Sequence, residues 1–252
     1  MEFDLSGIRL SNKDKHFGVI IPNKQSIKLA ELIGIMVGDG HVGIYQRPKK
    51  NHHRYDLNIT GNIKDEDHMD FVNELFLDIF NVKLNKDIRM SQNCVVLRKQ
   101  SRAICQFFAN VIGIPNNKGN VSIPNCILTS TKSIKAAFLR GLADTDFCIT
   151  IRYKPNLYPV IHGTSKSQRL IEQCSMIFQD FGINTHCCKE VQYHKNWHKT
   201  YTTYRVYLNG FKRVERYMEL VGFSNKNKVL KYEEIIKNRN YSNIKHTPKK
   251  FL

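Results

Sequence analysis

Apolar and polar positions follow one order of seven elements, and that order runs through the chain twice. In SIKLAELIGIMVGDG (Ser26 to Gly40) apolar and small residues predict a helix. The Ser26 hydroxyl would accept an otherwise orphan N–H at its start, and Gly40 would supply the permissive exit. His41 to Gln46 and Tyr55 to Thr60 alternate, which predicts two strands around RPKKNHHR, eight residues with four Lys or Arg and two His. Met69, Phe71, Val72, Leu75, Phe76 and Ile79 recur at helical spacing and predict an amphipathic helix. KLNKDIRM and NCVVLRK read as two more strands across a Ser-Gln-Asn turn. SRAICQFFANVIG then closes the unit as a helix ending at Gly113.

The second half repeats the order. SIKAAFLRGLADTDF (Ser133 to Phe147) predicts a helix capped by Ser133, and DFCITIRYKPNLYPVIHGT a hairpin with Arg152 and Lys154 near its tip. SQRLIEQCSMIFQDFGI matches the amphipathic helix, THCCKEVQYHKNWHKTYTTYRVYLN the second strand pair, and FKRVERYMELVG the closing helix. Val221 to Lys228 (VGFSNKNK) parallels Val111 to Lys118 (VIGIPNNK). Residues 1–25 read as an extension with a short extended element. Residues 26–130 and 131–252 are the two repeats, the second ending in a helix over KYEEIIKNRNYSNIK and a basic tail.

The two leading helices are one stretch written twice. Ser26 and Ser133, Lys28 and Lys135, Ala30 and Ala137, Gly34 and Gly141, and Asp39 and Asp146 each lie 107 positions apart. Small residues recur every fourth position, as Ala30, Gly34, Gly38 and as Ala137, Gly141, Thr145. Residues at i and i+4 share a face, so each helix carries a stripe with almost no side chain. Two such stripes can pack closer than the usual ~8–10 Å between axes. That packing would bring Asp39 and Asp146 to one end of the pair.

LIGIMVGDG (Leu32 to Gly40) and LRGLADTDF (Leu139 to Phe147) resemble the paired motifs of the LAGLIDADG homing endonucleases; Phe147 stands where the family usually has Gly. The resemblance implies an α+β fold of two pseudo-symmetric αββαββα repeats. Each would be a curved antiparallel sheet with helices on one face, and together they would form a DNA-binding saddle. It also implies a monomeric endonuclease that cuts both strands across the minor groove of a long, asymmetric target, leaving short 3′ overhangs.

Charge points the same way. The formal net charge is +17, and a charge that large opposes compaction unless a polyanion shares the load. Two-stranded ribbons fit the major groove. Candidate DNA contacts are Arg47, Lys49, Lys50, His52, Arg54 and Asn58 on the first hairpin, and Lys86, Arg89 and Arg98 on the next pair. Arg152, Lys154, Lys195 and Arg205 are the candidates in the second repeat. Seven cysteines, an odd count without CxxC spacing, read as thiols in a reducing, intracellular compartment. His194 and His198 fall in a strand and turn and read as solvated or DNA-facing residues. The first residues do not look like a signal peptide, and the longest apolar run, Leu32 to Val37, cannot span a bilayer.

Two close carboxylates repel, and without a cation one takes up a proton. A hard divalent ion removes the conflict. About two or three Mg²⁺ shared between Asp39 and Asp146 would activate water for phosphodiester hydrolysis, with Mn²⁺ or Ca²⁺ as substitutes for binding. The carbonyls of Gly38 and Thr145 are natural further ligands, as the resemblance also implies. A family lysine near the active-site water maps to Lys118 and to Lys226 or Lys228, which follow the matching Gly113 and Gly222. Asp144 has Val37 as its counterpart and reads as a helix-end or partner-helix contact. The expected activity is a Mg²⁺-dependent, intron-encoded, site-specific DNA endonuclease. The alternatives are a maturase that binds host intron RNA and a DNA-binding regulator that has lost cleavage. An intein origin is not expected, since the chain neither begins with Cys or Ser nor ends with His-Asn.

Overall fold

In the computed structural model, which describes residues 1–47, 52–153, 157–194 and 198–245, the first 25 residues already depart from expectation. They form a helix, α1 (Asn12–His16), where the sequence suggested an extended element. The cause is local: the Ser11 hydroxyl accepts from Asp14 N–H while the Asp14 carboxylate accepts from Ser11 N–H, a capping box. Asp14 is buried, and its carboxylate also accepts from Ala103 N–H at 3.3 Å, which ties α1 to a later helix start.

Helix α2 (Ile27–Gly38) is capped by Ser26, whose hydroxyl accepts from Leu29 N–H. Strands β1 (Gly40–Arg47) and β2 (His52–Asn62), helix α3 (Glu66–Phe80), and strands β3 (Asn85–Arg89) and β4 (Cys94–Lys99) follow. Helix α4 (Arg102–Gln106) continues as a π-helical turn, Phe107–Ile112, and ends at left-handed Gly113. A short helix, α5 (Asn125–Leu128), leads into α6 (Lys132–Asp146). The cap of α6 is Thr131, not Ser133: Thr131 holds the extended backbone, and the Ser133 hydroxyl meets that of Thr131 at 3.0 Å inside the first turn. Then come β5 (Phe147–Arg152), β6 (Tyr158–Ser165), α7 (Gln168–Asp180), β7 (His186–His194), β8 (Lys199–Asn209), α8 (Phe211–Leu220) and α9 (Lys226–Lys245). Helix α9 begins at Lys226, five residues before the start read from the sequence.

The strands form two antiparallel sheets with equivalent orders, β1-β2-β4-β3 and β5-β6-β8-β7. In β2, Leu57 and Ile59 turn into the core while Arg54, Asp56 and Asn58 face the other way. Helices α3 and α4 cover the inner face of the first sheet, and α7 and α8 that of the second. The other face of each sheet carries polar residues. The fold is α+β with two αββαββα repeats.

The repeats meet along α2 and α6. The backbones touch: a Cβ on Gly34 would lie 2.1 Å from the Phe138 carbonyl oxygen, and one on Gly141 would lie 2.0 Å from that of Glu31. Around this seam Ala30, Ile33, Ala137, Leu142 and Ala143 are shut off from solvent. One charged pair crosses it: Glu31, 6% exposed, binds Arg140 Nε at 3.2 Å and accepts from the Ser224 hydroxyl. Buried charges need this full pairing, because an uncompensated one is costly. All seven cysteines are free; Cys105 and Cys174 are buried, while Cys148 and Cys187 are exposed. Among the described residues, no helix is long and apolar enough to cross a membrane.

Candidate active site

Asp39 is the C-cap of α2, and Asp146 is the last residue of α6. The residues just before them are in contact, since a Cβ on Gly38 would lie 1.8 Å from Thr145 Oγ1. The two carboxylates therefore stand side by side where the helix pair opens toward the polar faces of the sheets. Asp39 is reached by solvent from one side and Asp146 is half-buried, yet protein surrounds most of each. Burial pushes both pKa values up. Asp146 reaches about 7, with the charge on Asp39 as the second cause. Lys118 and Lys228 oppose the rise in both.

Helix C-termini leave carbonyls unpaired and carry partial negative charge. Two lysines answer this. The Lys118 ammonium donates to the Gly38 carbonyl, and Lys228 donates to those of Ala143, Asp144 and Phe147 at 2.6–2.7 Å. Burial lowers the pKa of each ammonium, and the nearby aspartates partly restore it. Lys226 is elsewhere: it is exposed and pairs with Asp67 at 3.3 Å. Of the two candidates in the second repeat, Lys228 is the one at the site.

Each lysine-bearing loop is anchored on the opposite repeat. The Ser167 hydroxyl donates to the Val121 carbonyl, and Gln173 accepts from Ile123 N–H at 2.8 Å. Reciprocally, Asn225 and Asn227 donate to Asp65 at 3.0 and 2.9 Å. Asp144 accepts from Ser224 and Asn225 N–H at 3.0 Å each, just before α9 begins. It is thus a helix-end contact of α6, and burial pushes its pKa up to about 7. A cavity of about 250 Å³ beside Asp39 is lined by Asp65, His68, Asp144, Asn225 and Lys228. Both ring nitrogens of His68 are buried there without a hydrogen-bond partner. Burial, with Lys228 nearby, lowers its pKa to about 4, so the ring is neutral. The role of Asp144 as a helix-end contact was legible in the sequence; the cross-repeat anchors, 46–162 residues apart, were not.

The donor chemistry fits a hard divalent cation. Two carboxylates converge, and burial raises both pKa values, so a bound cation would favour their charged forms. Among the described residues no three His, Cys, Asp or Glu side chains converge on one point. An ion such as Mg²⁺ takes few protein carboxylates and completes its shell with water and phosphate oxygens. The Gly38 carbonyl is occupied by Lys118 in this arrangement, so the carboxylates are the open ligands.

The polar faces of the sheets flank this site. Two residues beyond each aspartate a row crosses all four strands. In the first repeat it is His41, Asn58, Arg98 and Asn85; in the second, Cys148, His162, Tyr207 and His186. Arg54 shares the face with its partner Asp56, and Arg89 and Arg98 with Asp87. Arg205 is held by Glu190 at 3.0 Å and by the Tyr207 hydroxyl, and Arg152 lies over the Tyr207 ring. Lys86 does not belong here. It points to the helical side and pairs with Glu66 and Asp70. Strand alternation is the reason, since Lys86 and Arg89 are an odd number of residues apart and cannot share a face. Arg47 and His52 pair at the end of the β1–β2 ladder. Lys49, Lys50, Lys154 and Lys195 lie outside the described residues.

Comparison with known proteins bears on the second repeat and on the fold. Residues 133–222 match the LAGLIDADG-like domain model. The chain is similar in structure to I-LtrWI, a LAGLIDADG homing endonuclease bound to target DNA, with TM-score 0.56 and 12% identity over 87% of this chain and 92% of that one. It is also similar to I-DmoI in complex with DNA and Mn, with TM-score 0.52 and 18% identity over 78% and 96%. A curated relative, the glutamine–fructose-6-phosphate aminotransferase of Methanocaldococcus jannaschii, is 24% identical over 221 residues. The match takes in 86% of this chain but only 18% of that protein's length. The second repeat thus matches a LAGLIDADG-like domain, and the chain as a whole shares the fold of these LAGLIDADG endonuclease structures.

Proposed function

We propose that this protein is a site-specific DNA endonuclease that makes a double-strand break in a long, asymmetric target. The observation that carries the reading is the contact of Gly38 with Thr145, which sets Asp39 and Asp146 side by side between two polar sheet faces. Binding alone has no use for two crowded carboxylates at helix C-termini, where negative charge is disfavoured. Two phosphodiester bonds to be cut across a narrow groove do have a use for them. The structurally similar I-LtrWI is bound to target DNA, and I-DmoI to DNA and Mn.

Asp39 and Asp146 would hold Mg²⁺, which would supply an activated water and Lewis acidity toward the leaving oxygen. The chain's own groups do the rest. Asp39 and Asp146 each serve the phosphate nearer their repeat. Lys118 and Lys228 place positive charge beside them, where charge develops on the phosphate oxygens. The sheets position the duplex through phosphate contacts and read base edges with residues such as Asn58, Arg98 and Tyr207. Because the two central rows differ, the half-sites need not be related by symmetry. Both repeats lie on one chain, so it acts as a monomer.

The test is selection from a randomised duplex library with Mg²⁺, followed by sequencing of cut ends. The wild-type protein should cut a single long motif, leaving short 3′ overhangs. Asp39→Asn and Asp146→Asn should each lose cutting of both strands while retaining affinity for the selected duplex. Wild-type-rate cutting by either variant overturns the assignment. Binding of intron RNA with no duplex selected would instead favour a maturase.

A further inference from the structure

The N-terminal extension takes no part in either repeat, yet it reaches the polar face of the first sheet. A cleft of about 470 Å³ there is lined by Lys13 and Phe17 of the extension together with Arg54, Asn58, Arg98 and Lys99 of the sheet. Four cationic side chains thus border it. Among the described residues Asp56 is the only carboxylate lining it, and Arg54 holds that at 2.5 Å. Lys99 is committed within the protein: its ammonium donates to the Lys83 carbonyl and lies over the Phe17 ring. Among the described residues Lys13 makes no ion pair, and it is exposed.

Helix α1 presents Lys13 from a fixed position. The capping box sets its first turn, the buried Asp14 carboxylate binds Ala103 N–H, and Val19 N–H returns to the Asp14 carbonyl at 2.9 Å. Arg9 N–H is held by the Gln106 side chain at 2.9 Å. A cation held this firmly on an open, positively charged cleft loses little freedom when it meets an anion. Among the described residues the second repeat has no equivalent arm: the short helix before α6 is Asn-Cys-Ile-Leu, without a charge.

We propose that the cleft takes duplex DNA backbone, with Lys13 on a phosphate outside the span of the first sheet. The footprint on the first half-site is then longer than on the second. This rests on the DNA-binding reading above and deepens it.

The test uses the full-length protein, Lys13→Gln, and three duplexes: the selected target with long flanks, the target trimmed on the first-half side, and the target trimmed on the second-half side. Lys13→Gln should weaken binding to the long duplex and lower the slope of log K against log salt by about 0.9, the value for one phosphate on duplex DNA. Between 50 and 200 mM salt, that slope change makes the variant's loss of affinity about 3-fold smaller than the wild type's. On the duplex trimmed on the first-half side the two proteins should bind alike, and on the other trimmed duplex they should still differ. Equal affinity and slope on the long duplex overturn the proposal, as does a difference that survives trimming of the first-half side. Wild-type protein that binds no duplex overturns the DNA reading and this inference with it.

Discussion

The ring of Phe147 fills the space above Gly163, its partner across the β5–β6 ladder: a Cβ on Gly163 would lie 2.1 Å from Phe147 Cε1. At the corresponding place in the first repeat the sizes are exchanged, Gly40 facing Ile59. The departure of Phe147 from the family's Gly is therefore compensated on the opposite strand. Gly163→Ile should destabilise by ~1–3 kcal/mol or more through overpacking, and Phe147→Gly by at least the ~3–5 kcal/mol typical of Phe→Ala in a core. The double variant Phe147→Gly, Gly163→Ile restores the first repeat's arrangement and should cost less than the two single changes together. Chemical denaturation of the three variants checks this; strict additivity would refute the compensation.

Gly34 and Gly141 face backbone, which cannot swing aside. Leucine at either position must push α2 and α6 apart, at ~1–3 kcal/mol or more. The ~1 kcal/mol gained in helix propensity over glycine does not offset this. Asp39 and Asp146 ride on those helix ends, and a displacement of ~1 Å can cost ~100-fold in rate. Lys28→Ala and Lys135→Ala are the controls. They lose ion pairs to Asp78 and Asp180 at the rim, each worth ~0–1 kcal/mol. Melting and cleavage rates that fail to separate glycine variants from lysine controls would refute the shared seam.

Lys118→Met and Lys228→Met should each lower the cleavage rate by roughly 10²–10³-fold, the usual loss when one preorganised donor to developing charge is removed. Lys226→Met removes only an exposed contact to Asp67 and should stay within about 2-fold of wild type. Single-turnover rates on the selected target distinguish them, with melts to confirm folding. A large loss at Lys226 alongside normal rates at Lys228 would reverse the assignment.

The pH dependence follows from Asp146, whose folded pKa is pushed up to about 7 from 3.8. A raised folded pKa means the folded state holds the proton that the unfolded state releases. Its contribution to stability is fully present below pH ~4 and is lost as pH rises through ~7. Metal-free protein should therefore melt lower at pH 8 than at pH 6, and Asp146→Asn should reduce that difference. A divalent ion needs the charged carboxylate, so stabilisation by Mg²⁺ or Ca²⁺ should be larger at pH 8. Metal stabilisation that is equal at the two pH values would refute it.

Much of this architecture is carried by local pattern. The period of apolar residues marks both motif helices and all eight strands, and small residues at i and i+4 mark the seam, because each depends only on neighbours a few positions away. The aspartates and Lys118 could be named from the repeat alone. The face of Lys86 was equally available from strand alternation, although charge suggested otherwise.

Contacts between distant segments decided the rest. Lys226 and Lys228 have the same side chain two positions apart at one helix start. Which of them enters the site depends on Asn225 and Asn227 binding Asp65 of the other repeat. The Glu31–Arg140 pair joins residues 109 positions apart and has no counterpart in the repeat. Phe147 looked like a mismatch until Gly163 was seen across from it. In each case the energy lies in burial and pairing across the fold, where no sequence period reaches.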